Sequence, residues 1–397
     1  MVRLLILAVM GLAALVLYWQ VRTADLRQAV RALTAGRISE ALPRLRSFVR
    51  RGDWVARTLR SYARLRLAQA YFLAGQFTAA LEEVDRASAE SDLRGLEPQA
   101  HQLRAAAYAG MDQLSEALAA ANQALEAAER SQSRGFYETY ALLAQIHLQK
   151  GNFTLAEQCA ERCLELPNYQ HSLAYRLLGE AARYRGRFEE AEQRYEQAFE
   201  HAAPWGGMRP ELAEHNRAAA EVALATNALD QGRFADAAAY LEQALHRPTV
   251  AEPLKAAAHA LLGHIYAHEG EEERAREQLA LAEAVLQTLP EHRPLHALLR
   301  YCRGLAAAEA EHWEEAIGRL KEVVEACPHQ IERPRWWCEL GQVYERAGRV
   351  AEAQEAYQQA AAGYPELYAV QRAKERLAAT SLSPPAQGEK EGGEDKT

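Results

Sequence analysis

The sequence predicts an all-α solenoid of about nine helix–turn–helix repeats, and three observations carry that prediction. The first is the stretch 337–365, WCELGQVYERAGRVAEAQEAYQQAAAGYP, which reads as two helices. Trp337, Leu340, Gly341 and Tyr344 share one helical face, Gly348 breaks the helix, and Val350, Ala353, Tyr357 and Ala360 form the inner face of a second helix that Pro365 stops. The second is recurrence. The second-helix alanine appears at Ala41, Ala80, Ala117, Ala156, Ala191, Ala237, Ala275, Ala316 and Ala353, at intervals of 39, 37, 39, 35, 46, 38, 41 and 37 residues. The third is the lack of any alternating, strand-like run.

Each unit has a physical logic. Gly341 and Ala353 are small, so two helix backbones can approach closely, and Tyr344 and Tyr357 are expected to fill the space beside them. A glycine turn precedes most of the alanines, as in Gly75-Gln-Phe, Gly151-Asn-Phe, Gly186-Arg-Phe and Gly232-Arg-Phe. Asp112 and Glu311 replace it in two units, and the first unit, around Gly36, is degenerate on its first helix. This order of large, small and aromatic residues resembles the tetratricopeptide repeat (TPR), a helix–turn–helix of about 34 residues. The resemblance covers residues 22–366 and implies a right-handed array. The chain's 397 residues would otherwise suggest two or three globular domains, but a solenoid grows as one continuous body.

Residues 4–21, LLILAVMGLAALVLYWQV, carry no charge. At about 1.5 Å per residue this run extends roughly 27 Å, against a bilayer core of about 30 Å. Tyr18 and Trp19 stand at its end, where aromatic rings favour the interface. Residues 1–21 are therefore expected to form a single transmembrane anchor. A cleaved export signal is the rival reading, and Arg22 stands where small neutral residues would be needed. A buried core helix would have nothing before the first repeat to cover it. Arg22, Arg27, Arg31 and Arg37 follow the run, and only Arg3 precedes it. That places the array on the cytoplasmic side of a cell inner membrane, with the periplasmic side open because long domains translocate regardless of charge.

Charge is segregated along the chain. Residues 1–66 hold 13 Arg, no Lys and 3 acids, a net +10, so the total of −8 leaves −18 for residues 67–397. Arg44, Arg46, Arg50, Arg51 and Arg57 are expected to meet anionic headgroups, or else to form a solvated Arg-rich face. Nucleic acid is not an expected partner, because the array is acidic and has no binding motif. Arg51-Gly52-Asp53 reads as a turn between repeats.

The longest interval, 46 residues, falls near 201–210, where two prolines and two glycines interrupt the helices. Trp205 and Met208 on that loop would pack on their own repeat or meet a partner. Residues 367–379 read as a helix covering the last repeat, and residues 380–397, TSLSPPAQGEKEGGEDKT, as a disordered tail.

No catalytic constellation emerges, and no cofactor is implied. Cys159, Cys163, Cys302, Cys327 and Cys338 form no CxxC pair and read as structural, reduced thiols. His264 and His268 lie one turn apart, but no third metal ligand accompanies them; Glu269 and Glu271 fall beyond the turn. Phosphate-cradling glycine loops, a nucleophile elbow and HExxH are all missing.

What the TPR resemblance implies is a scaffold whose first helices line a concave groove for protein or peptide partners. Groove positions would be Gln69 and Phe72, Gln145 and Gln149, the set Arg176, Glu180, Arg183 and Tyr184, then His264, His268 and Tyr301. Arg183 and Tyr184 would offer a fork of donors and a flat ring to an acidic or aromatic peptide. Arg176 and Glu180 read equally well as an exposed i,i+4 pair worth about 0.2–0.5 kcal/mol. The Lys and Asn pair with which some TPR proteins hold a C-terminal carboxylate is missing, which argues against chaperone-tail binding. Anchor plus repeats is also similar to the membrane-bound TPR regulators of bacterial envelope biogenesis. One group of those ends in a rubredoxin-like knuckle of paired CxxC motifs, and this chain has no cysteine after Cys338. Two functions follow: a membrane-anchored adaptor, or a periplasmic or secreted assembly factor delivered by the N-terminal segment.

Overall fold

The computed structural model describes residues 2–34, 37–90, 93, 95–131, 136–165, 171–202, 210–326 and 331–382, with side chains from residue 14 onward except at 90, 136, 137 and 380–382. Among the described residues there are twenty helices and no strand. Nine helical hairpins follow one another. They are α1 (Val2–Thr34) with α2 (Ile38–Val49), then, after the one-turn α3 (Trp54–Thr58), α4 (Arg60–Leu73) with α5 (Phe77–Glu90) and α6 (Glu97–Gly110) with α7 (Leu114–Arg130). Next come α8 (Phe136–Gln149) with α9 (Phe153–Glu165), α10 (His171–Tyr184) with α11 (Phe188–Glu200), and α12 (Pro210–Asp230) with α13 (Phe234–His246). The last three are α14 (Glu252–His268) with α15 (Glu272–Leu286), α16 (Arg293–Glu309) with α17 (Trp313–Ala326), and α18 (Arg333–Arg346) with α19 (Val350–Ala361). A final helix, α20 (Tyr368–Leu382), covers the end and runs three residues past the expected 379.

The hairpins from the second to the ninth share one turn chemistry. Gly75, Gly151, Gly186, Gly232, Gly270 and Gly348 hold φ between 67° and 79°, a left-handed conformation that closes the first helix. The next residue then reaches back five positions, as in Gln76 N–H to the Tyr71 carbonyl at 2.9 Å and Arg349 N–H to the Tyr344 carbonyl at 2.8 Å. That same residue's carbonyl accepts the first bond of the second helix, from Ala80 or Ala353 at 3.0 Å. Asp112 (φ 63°) and Glu311 (φ 58°) adopt the conformation without glycine, at a cost of about 1–2 kcal/mol each.

Close approach decides the small residues. All nine repeat alanines are 4% exposed or less. A Cβ on Gly341 would stand 2.5 Å from the Tyr357 ring, and one on Gly179 would stand 2.5 Å from the Tyr195 ring. Tyr357 therefore lies on Gly341 itself, where the sequence had suggested a place beside it. In two other repeats Leu279 lies on Gly263 and Leu320 on Gly304.

The expected boundary between an anchor and the repeats is not a break in the backbone. Helix α1 runs unbroken into the first repeat, where Leu26, Ala29, Ala32 and Leu33 are buried with Ala41, Leu45 and Phe48 of α2. Among the described residues no helix is long and apolar enough to cross a membrane. Most of the apolar run, residues 4–13, lies outside the described side chains. The loop carrying Trp205 and Met208, and the tail from residue 383, also lie outside the described residues.

The array also winds back onto itself. Leu289 lies against Gly75, Phe77 faces the His292 ring at 5.7 Å, and Thr78 donates its N–H and hydroxyl to Glu291 at 2.8 and 2.9 Å. Tyr364 covers Gly151, and Tyr368 covers Gly186 and meets Phe188 edge-on at 5.0 Å. Ile331, Leu367 and Val370 join one core cluster with Leu148, Phe153 and Leu177. Repeats still touch mainly their neighbours, and accumulated curvature adds these side-chain contacts between distant windings.

Gly341→Leu is expected to destabilise the chain by about 1–3 kcal/mol through overpacking against Tyr357. Hydrogen exchange should speed up in α18–α20 and, through Leu367 and Val370, in α9 and α10, while α4–α7 keep their protection. Faster exchange confined to α18 and α19 would mean that the winding contacts carry no energy.

Candidate partner-binding groove

The inner surface is made by the first helix of each hairpin. Tyr184, Asp230, His268, Glu309 and Arg346 each stand two residues before a left-handed turn residue, so they occupy one register position in five successive repeats. The structure brings these five helices' side chains to a common interior. Glu309 accepts from Arg346 at 3.2 Å and lies 3.4 Å from His268 Nδ1.

Deeper in, four charged groups form a closed ring. Arg183 bonds Asp230 at 2.6 Å and Glu332 at 3.2 Å; Arg335 bonds Asp230 at 2.9 Å and lies 3.7 Å from Glu332. Tyr184 donates its hydroxyl to Glu332 at 2.9 Å. The ring ties α10 and α12 to the start of α18, across two windings. Burial works against both guanidiniums, yet Arg183 and Arg335 are held above their ordinary range by Asp230 and Glu332. Burial likewise opposes the Glu332 carboxylate, and the two arginines outweigh it and hold it below the usual range. Glu339 is different: burial pushes its carboxyl up, and Arg335 and Arg372 offset that only in part. These groups line a cavity of about 80 Å³, and a wider cleft of about 590 Å³ separates the windings between Lys150, Trp337 and Tyr364.

Against this geometry the expected groove residues divide. Gln145 is exposed, and the buried amide oxygen of Gln149, one turn on, has no hydrogen-bond donor. Gln69 accepts from Arg66 at 2.9 Å, and Phe72 packs on Phe77 at 5.7 Å. Arg176 and Glu180 pair with each other, the plainer of their two readings. His268 stacks on Phe234 at 3.8 Å and His264 meets the same ring edge-on at 6.0 Å. Three positions are corrected. Arg183 is 7% exposed and Tyr301 3%, and with Tyr184 they are consumed by the ring and by packing against Arg335 and Trp336. The donors of Arg183 and Tyr184 are already used, so these two cannot be the free fork and ring the sequence suggested.

The arginines of the first repeat divide too. Arg46 donates to the Tyr71 hydroxyl at 2.8 Å, Arg44 lies 3.9 Å from Glu40, and Arg51 is bound to Asp25 and to the Arg22 carbonyl. Arg50 and Arg57 are exposed. No disulfide joins the four described cysteines, and burial pushes the Cys163 and Cys302 thiols up to about 12, which disfavours the reactive thiolate. Among the described residues no three metal-ligating side chains cluster.

Sequence reasoning missed Asp230, Glu332 and Arg335. Asp230 was within reach, because it shares the register of Tyr184 and His268. Glu332 was not, since it precedes α18 and only the returning winding brings it to Arg183.

A family model described as tetratricopeptide repeat matches residues 26–94, 141–207 and 222–285, half of the chain, and a second of that description matches 334–366. Among solved structures, a Rap protein complexed with competence and sporulation factor is similar at a TM-score of 0.62 and 13% identity, covering 91% of this chain and 99% of that one. NprR in complex with its cognate peptide NprX is similar at 0.55 and 14%, covering 85% and 96%. At these identities the likeness is one of fold. No curated protein matches in sequence.

Two predictions follow from the interior. Arg183→Ala leaves Asp230 and Glu332 buried with only Arg335 to neutralise them, and should cost about 3–5 kcal/mol in denaturant unfolding; an unchanged midpoint would show that the ring is solvated. The second concerns pH. Burial pushes His264 and His292 down to about 4, so both stay neutral when folded and take up protons on unfolding. Their stabilisation is present above about 6.5 and is lost as pH falls toward 4. A His264→Gln, His292→Phe variant should show a flatter fall in melting temperature across that window, and an unchanged slope would assign the titration elsewhere.

Proposed function

The chain belongs to the tetratricopeptide repeat family, and from that premise we propose that it is a protein-interaction scaffold that binds an extended segment of a protein partner along its inner face. The observation that carries this reading is the amide pair on α8. Gln145 is exposed and Gln149 keeps an unsatisfied oxygen, one turn apart on one helix face. Side-chain amides offer a donor and an acceptor together, which suits the alternating N–H and C=O groups of an extended backbone. Support also comes from fold: the two similar arrays named above were each solved with a peptide or factor bound, and the likeness covers 85% or more of this chain.

The scaffold is, in this reading, tethered to a cell inner membrane by the N-terminal part of α1, with the array on the cytoplasmic side. Leu15, Val16 and Leu17 are 56%, 47% and 62% exposed. Successive helical residues point about 100° apart, so this part of the rod is apolar on several sides and uncovered by protein. Such a surface calls for a nonpolar surround.

Peptides selected from a random library against the full chain in detergent should lose about tenfold or more in affinity for the Gln145→Ala, Gln149→Ala variant, two neutral hydrogen bonds at about 0.5–1.5 kcal/mol each. Its melting temperature should stay at the wild-type value. Undiminished affinity would move the binding face away from α8.

A further inference from the structure

We propose that the first repeat itself seats on an anionic bilayer surface, with Trp54 as an interfacial residue beside Tyr18 and Trp19, so that the array is held at a fixed attitude to the membrane. The proposal rests on the tethering reading above and adds a second, independent contact to it.

Trp54 opens the one-turn helix α3, far in sequence from α1. Its neighbours Val55 and Ala56 are buried, and Asp53 caps the turn by accepting from the Ala56 N–H at 3.0 Å. With the next two side chains locked inward, the Trp54 ring is held outward at 43% exposure. The groups that meet it come from α1: Tyr18 stacks on it at 6.2 Å with 14° between the planes, and Trp19 lies 5.5 Å away. Three amphipathic rings therefore stand at one level along the rod. Indole and phenol rings favour the boundary between headgroups and acyl chains, where one end is apolar and the other wet.

Charge at this level has the sign that anionic headgroups require. The Arg22 guanidinium lies 5.4 Å over the Tyr18 ring, and exposed Arg57 stands one turn after Trp54. Arg50, also exposed, ends α2 at the same end of the hairpin. Of the two acids nearby, Asp25 is already bound by Arg51, and Asp53 is occupied by its cap. Each such cation near the surface of an anionic leaflet is attracted to it, within a Debye length.

No linker separates this level from the array. The Thr23 hydroxyl bonds back to the Trp19 carbonyl at 2.8 Å, and Thr23 is already buried at 5% exposure. Arg51 clamps the connection before α3 to α1 through Asp25 and the Arg22 carbonyl. A rod that continues without a break into a packed repeat cannot pivot. The depth of Tyr18 and Trp19 therefore sets the depth of Trp54.

Quenching of tryptophan fluorescence by brominated lipid tests this on the full chain in vesicles containing phosphatidylglycerol. Of the six tryptophans, Trp19 and Trp54 are the two expected within reach of the lipid. Trp54→Phe should remove roughly half of the lipid-quenchable signal and Trp19→Phe the rest, since both rings lie at one interfacial level. Arg22→Gln with Arg57→Gln should weaken the Trp54 share in phosphatidylglycerol vesicles and leave it unchanged in phosphatidylcholine. If Trp54→Phe leaves quenching intact while Trp19→Phe abolishes it, the tether stands and the seat is overturned. If neither substitution alters it because no tryptophan is quenched, the tether itself falls. Protection of Trp54 from both brominated lipid and aqueous iodide would mean that a protein surface covers it, a second copy or another partner, and would also overturn the seat.

Discussion

The fold depends on one left-handed residue in each hairpin from the second to the ninth. Where Gly75, Gly186 or Gly348 turns the backbone to positive φ, the first helix is closed by a back-reaching N–H, and the second helix starts from the next carbonyl. The turn thus fixes where the second helix starts relative to the first. The spacing between the two is tight enough for a Tyr ring to lie directly on a glycine, as Tyr357 does on Gly341. The residue types at turn and crossing are consequences of one another: a helix pair this close admits only a small residue opposite a large one. Where Asp112 and Glu311 stand in for glycine, the conformation persists because the hairpin around it is already determined.

Repetition of that unit then brings about a contact that no single unit contains. Each hairpin is rotated a little against its neighbour, and after several the chain returns to itself. The seam is partly apolar, through Leu289, Leu367 and Val370, and partly ionic, through Arg183, Asp230, Glu332 and Arg335. A buried ring of two cations and two anions adds little net stability, because desolvation offsets most of the attraction. Misalignment, by contrast, would strand a buried charge. The ring therefore serves to select one winding register more than to hold the windings together.

Closure of the seam divides the inner face into used and unused parts. In the ring that joins α10, α12 and α18 the charged groups satisfy each other, while on α8 Gln145 is exposed and the buried Gln149 amide oxygen has no donor. At the other end of the molecule the same rigidity passes into α1, so that whatever surrounds the apolar rod also positions the first repeat. The two proposed functions of the chain, partner capture on α8 and attachment through α1, lie in the fourth and first hairpins of one continuous helical body.

What the sequence determined by itself is everything that acts within one hairpin. Helical spacing, the positive-φ turn and the small residue at the crossing are decided by residues a few positions apart, so Gly341, Ala353, Gly348 and their counterparts could be read directly. The apolar character of residues 4–21 is likewise a local property. Tertiary structure alone decided what depends on the summed rotation of many repeats. Arg183 and Tyr184 looked like free donors on a groove helix because nothing near them in sequence announces Glu332. Arg176 and Glu180, one turn apart, were legible as a pair. Trp54 follows the Arg51-Gly52-Asp53 turn with nothing local to single it out, and only folding set it against Tyr18 and Trp19. Local geometry propagates from residue to residue. The meeting of distant windings depends on small angles that accumulate, and no short stretch of sequence encodes their sum.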